Sequence, residues 1–96
     1  MKELMEELFE AIHVAYAIIT DTIEARGGED YFCDDIRWSD SERGFSIGIF
    51  KSDYNPDTDE HRCVEVDRFF FNYDEGLSLT LLEQARYEAE NWAEKW

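Results

Sequence analysis

Apolar residues recur at three- and four-residue steps from the start of the chain: Leu4, Leu8, Ile12, Ala15, Tyr16, Ile19 and Ile23, with Phe9 and Val14 widening the stripe. That is the period of one helix face, and it predicts a helix over Lys2–Arg26. Arg26 falls in the last turn, where a cation favours the helix dipole, and Gly27-Gly28 supplies the stop.

The period then changes from helical to strand-like. Tyr31–Trp38 is rich in aromatic and β-branched residues, but Asp34-Asp35 in its middle marks an edge strand or an interrupted one. After the turn residues Ser39-Asp40-Ser41-Glu42, Phe45, Ile47 and Ile49 alternate with small residues across Gly44–Lys51, which predicts a strand with one buried face. A polar stretch, Ser52–His61, contains the single proline, Pro56, and is expected to end that strand. In Arg62–Asn72, Val64 and Val66 alternate with Glu65 and Asp67 before the run Phe69-Phe70-Phe71. The lost alternation in that run predicts a bulge, or a strand end covered on both faces.

Helical spacing returns at the end. Thr80, followed three residues later by Glu83, has the form of a capping box. Leu82, Ala85, Ala89, Trp92, Ala93 and Trp96 then make an apolar stripe. The expected fold is α+β over a single domain, 1–96. It is a two-layer domain with an N-terminal helix, a three-stranded antiparallel sheet and a C-terminal helix, αβββα. Both helices are expected on the sheet face that carries Phe45, Ile47, Ile49, Val64 and Val66.

Composition supports a packed core in a chain of 96 residues, since 44% are hydrophobic and 16% aromatic. The charge adds something the pattern does not. With 24 acids against 9 bases the formal net charge is −15, and self-repulsion of that size works against compaction. Direct contact with nucleic acid or an anionic membrane is disfavoured, because both need Lys and Arg against phosphate. The expected partner is a basic protein surface. The acidic start and the two cysteines, Cys33 and Cys63, lead to the expectation of a cytoplasmic chain with reduced thiols. The longest apolar run, Ala15–Ile19, is too short to span a bilayer.

Motifs for catalysis are missing from the pattern: there is no phosphate-binding glycine loop, no serine elbow and no paired-cysteine zinc spacing. The chain is therefore read as a non-enzyme with no cofactor. His13 is expected to be a partly buried structural residue, His61 a solvated one, and both cysteines buried thiols. Asp53-Tyr54-Asn55-Pro56-Asp57-Thr58-Asp59 opens like a calcium-binding loop with oxygen ligands at alternate positions. Thr58 then stands where the sharp turn needs glycine, and Val64 where the bidentate glutamate belongs. An exposed polar hairpin loop is the simpler reading, and a calcium-binding module stays as an alternative.

The acids are spread through the structured elements and are densest over residues 52–75, where eight acids face two bases. Asp34, Asp35, Asp53, Asp57, Asp59, Glu60, Glu65 and Asp67 are the candidate partner-binding carboxylates. Glu65 and Asp67, two apart on one strand, are expected on the same face about 7 Å from each other. Such a ridge of anions would present to Lys and Arg what a phosphate backbone presents. Tyr54, inside the polar stretch, is the aromatic expected to be exposed beside it. Phe32 and Trp38 are expected in the core.

Small size, one acidic domain, a compact α/β build and the lack of catalytic motifs together resemble the small acidic phage proteins that inhibit host defence, anti-CRISPR proteins and other DNA mimics among them. The resemblance extends over the whole chain and rests on character rather than on a motif. It implies a stoichiometric inhibitor that blocks the DNA- or guide-binding surface of a CRISPR effector in the host cytoplasm. An immunity protein that neutralises a nuclease toxin would look similar. A further possibility is an acidic surface that serves only solubility, with an apolar face forming a homodimer, so both monomer and homodimer stay open.

Overall fold

The computed structural model describes residues 4–27, 30–39, 41 and 43–96. Helix α1 spans Leu4–Arg26 and helix α2 Leu81–Lys95; between them run β1, Tyr31–Ser39, β2, Gly44–Asn55, and β3, Glu60–Asn72. The strands form one antiparallel sheet in the order β1-β2-β3. The fold is the expected αβββα arrangement in two layers. The core is continuous and joins Leu8, Ile12, Ala15, Ile19 and Ile23 of α1 with Phe45, Ile47, Ile49, Phe69 and Phe71 of the sheet and Leu81, Ala85 and Ala89 of α2.

The ends of the helices show why they sit where they do. The Thr80 hydroxyl accepts from the Glu83 N–H at 3.1 Å and satisfies one of the donors left free at a helix start. Alternating elements turn the chain back each time, so α1 and α2 run in the same direction and their C-terminal ends meet. There Arg26 Nη1 donates to the Ala93 carbonyl at 2.7 Å. Gly27 is required at this junction: a Cβ on it would lie 2.7 Å from both the Trp96 and the Tyr31 rings.

The sheet extends beyond the helices. Its β2–β3 hairpin continues as a two-stranded arm, and the molecule measures 55 × 25 × 19 Å. This corrects several expectations. Ser52–His61 is not a loop that ends the strand: pairing persists to Asn55↔Glu60, and only residues 56–59 turn. Val64 and Val66, expected in the core, are 49% and 48% exposed, because Val64 pairs with Lys51 where the helical layer ends. Phe69 and Phe71 fill the core places instead. Phe70 between them is 68% exposed, so the triple-phenylalanine run is covered on one face alone and keeps ordinary alternation.

The bulge lies elsewhere. Ile49 pairs with Asp67 and Phe50 with Glu65, which leaves Val66 as the extra residue of β3. On β1 a second irregularity falls between Asp34 and Arg37, where Asp35 adopts a φ of 53°. Residues of β2 therefore keep strict alternation throughout, while both outer strands change register once.

Exchanging Ile47 for Ala, at a fully buried position, should cost about 2–5 kcal/mol of unfolding free energy. Val64→Ala on the arm should cost under about 1 kcal/mol. Urea unfolding of the two variants distinguishes a core of this composition from one that includes the valines.

Candidate functional site

The candidate carboxylates fall into three places rather than one ridge. Asp53, Asp57, Asp59 and Glu60 cluster at the end of the hairpin arm with Tyr54. Asp35 and Glu65 lie on the sheet face away from the helices. Asp34, opposite Gly48, lies on that face outside the Arg68 cluster, and Asp67 lies on the helix side.

At the arm's end the chain is held by its own polar side chains. The Asn55 carboxamide oxygen accepts from the Asp57 N–H at 3.0 Å and shapes the turn after Pro56. Asp59 takes a φ of 55°, a backbone region that Asp tolerates better than most residues. Its carboxylate accepts from the Tyr54 hydroxyl at 2.7 Å, a bond that raises the phenol above its ordinary pKa. The Tyr54 ring, 48% exposed as expected, packs on His61 across the strand pair with centroids 4.6 Å apart. The result is a narrow prong with Asp53, Asp57, Asp59 and Glu60 all exposed around one fixed aromatic. Among the described residues no group of three or more His, Cys, Asp and Glu side chains converges as metal ligands would.

Asp35 and Glu65 are committed inward. The guanidinium of Arg68, whose side chain is 12% exposed, lies flat over β2. Its Nε donates to Glu65 Oε1 at 2.7 Å, its Nη1 to Ser46 Oγ at 2.9 Å and to the Asp35 carbonyl at 3.0 Å, and its Nη2 to Asp35 Oδ2 at 2.6 Å. Nη2 is also in ion-pair contact with Glu65, so each of the three guanidinium nitrogens has a partner. Arg37 adds a second ion pair to Asp35 Oδ2 at 2.9 Å. The Arg37 guanidinium, against a lesser opposing effect of desolvation and with help from Arg68, lowers the Asp35 carboxyl below its ordinary range.

Glu65 and Asp67 do not share a face. The extra residue at Val66 places them on opposite sides: Glu65 meets Arg68 on the uncovered face, while Asp67 Oδ2 accepts from Trp92 Nε1 of α2 at 3.1 Å. Asp34 is exposed, and its carboxylate accepts from the Asp35 N–H.

Other expectations change with the same geometry. Cys33 is buried beside Thr20, but Cys63 is exposed on the arm. His13 is exposed. Trp38 is about half exposed and meets Phe9, also exposed, edge to face at 5.7 Å. Phe32 is half-buried and stacks on Phe50 on the uncovered face. The sequence reading passed over Arg68; a lone arginine between acids one and three places before it and an aromatic run was its only signal.

Two outcomes test this geometry. Asp35 has a folded pKa below its unfolded value, so its stabilising contribution is present above about pH 4 and is lost as pH falls through the folded value. Arg68→Ala should cost about 2–3 kcal/mol at neutral pH, with less further loss between neutral and acid pH than in the parent chain, read by denaturant unfolding at several pH values. Burial raises the Cys33 thiol, partly offset by its Thr20 hydrogen bond. A thiol reagent should therefore modify Cys63 in the native protein and Cys33 only on unfolding, as counted by mass spectrometry.

No helix among the described residues is long and apolar enough to cross a membrane. Compared with known proteins, the chain matches no family model, no curated protein and no solved structure.

Proposed function

We propose that this chain is a stoichiometric binding protein that sets its carboxylates against a basic, nucleic-acid-binding surface of another protein and blocks it, as the DNA mimics it resembles do. CRISPR effector complexes are the first partner to test. The observation that carries the reading is the hairpin arm, a protruding two-stranded prong that ends in Asp53, Asp57, Asp59 and Glu60 around a fixed, exposed Tyr54.

A prong of this shape enters a groove that a flat acidic surface cannot. Its carboxylates steer association with a cationic partner, and the tyrosine supplies a rigid ring for burial once docked. The exposed acids of the helices extend the negative field behind it: Glu6, Glu7, Asp21 and Glu24 on α1, and Glu83, Glu90 and Glu94 on α2. Asp35 and Glu65 are left out of the contact surface in this proposal, because Arg68 and Arg37 already neutralise them.

The test is retention of effector complexes by the tagged protein from lysates at low and high salt, with the retained proteins identified by mass spectrometry. The proposal expects one effector, retained at low salt, released as salt screens the charges, and unable to bind DNA while held. Asp57→Lys, Asp59→Lys and Glu60→Lys combined should weaken that binding at least tenfold with the circular dichroism spectrum unchanged. Equal affinity in the triple variant would remove the arm as the contact surface, and retention of a nuclease toxin instead would make the chain an immunity protein.

A further inference from the structure

Charge is distributed unevenly over this fold. The chain carries −15, yet among the residues of the three strands the ionised side chains on the face away from the helices are Asp34, Asp35, Arg37, Glu65 and Arg68, three acids against two arginines. Four of the five pair with one another, Asp35 with Arg37 and Arg68, and Arg68 with Glu65. A second copy approaching the helices or the arm meets unscreened like charge. Approaching this face, it meets one net charge.

The same face also exposes aromatic rings. Phe70 projects from β3, and the Phe32–Phe50 stack lies farther along the sheet. Beside Phe70 the central strand offers only Gly44 and Ser46, which leaves an open depression of about 320 Å³ bounded by Arg37, Ser39, Phe70 and Asn72, with the Asn72 carboxamide leaning over Gly44. A projecting ring beside a shallow depression on one face suits an isologous contact, since a two-fold axis sets each ring against the other copy's depression.

We propose that two copies of this chain associate through this face, sheet against sheet, with Phe70 of each copy seated over Gly44 and Ser46 of the other. The available area sets the strength of the contact. At about 3.3 Å per residue and about 4.8 Å between strands, the three-stranded part measures about 30 by 14 Å. That is about 400 Å² from each copy, below the standard size of a stable interface, so the dimer is a weak, reversible and concentration-dependent one. The inference is independent of the partner proposed above, which engages the arm and leaves this face free.

Light scattering and sedimentation from micromolar to millimolar concentration test it. The mass should rise from one chain to two, and added salt should tighten the association, because screening reduces repulsion between two anionic chains. That salt response is opposite in sign to the one expected for a basic partner. Phe70→Glu should weaken dimerisation at least tenfold without changing the circular dichroism spectrum; Phe70→Ser provides a milder variant should the glutamate disturb the sheet. Tyr87→Glu, which changes an exposed ring on α2, should leave dimerisation as it is. A single-chain mass over the whole range would overturn the proposal, and so would a dimer that Tyr87→Glu dissociates and Phe70→Glu does not.

Discussion

One guanidinium holds the uncovered side of this sheet together. Arg68 reaches from β3 across β2 to the backbone and carboxylate of Asp35 on β1, so a single side chain ties all three strands on the face that has no helix over it. The clamp needs room, and Gly48 provides it. A Cβ there would stand 2.9 Å from Arg68 Nη2 and 2.8 Å from Glu65 Oε1. The left-handed Asp35 and the register change on β1 bring the acid into reach. One local departure from regular strand geometry and one glycine thus serve this interaction, and every guanidinium nitrogen of an arginine partly withdrawn from water has a partner.

That clamp also decides where the negative charge acts. Carboxylates beside Arg68 are internal counter-ions, while those on the helices and at the arm's turn face solvent. A strongly anionic chain folds in this way with a nearly neutral side. Repulsion is carried by the surfaces that have water and counter-ions to screen it, and the hydrophobic layer between helices and sheet contains none of it.

The sequence was most legible where a single period runs without interruption. The stripe from Leu8 to Ile23, the cap at Thr80 and the alternation of Phe45, Ile47 and Ile49 each have one physical solution, and together they set the αβββα order. Legibility failed where alternation was real but its covering could not be read. Val64 and Val66 alternate as core residues do, yet Val64 lies past the end of the helical layer and Val66 is the extra residue of a bulge, and nothing local to them records either. The side of the sheet that Glu65 and Asp67 take depends on one extra residue between them, and residue types alone do not locate a bulge. Tyr54 was readable because polar neighbours on both sides left it no core to join. Arg68 was not, because two of its partners, Ser46 and Asp35, lie 22 and 33 positions away.

A three-stranded sheet has two open edges, and each is a row of unpaired amides onto which a neighbouring chain could add another strand. In this protein both edge strands break register, β1 between Asp34 and Arg37 and β3 at Val66. An incoming strand finds its hydrogen-bonding sequence interrupted partway along either edge, which works against growth by continuous strand addition at both. The exposed valines and phenylalanine of so long a hairpin thus lie beside edges that offer no unbroken ladder.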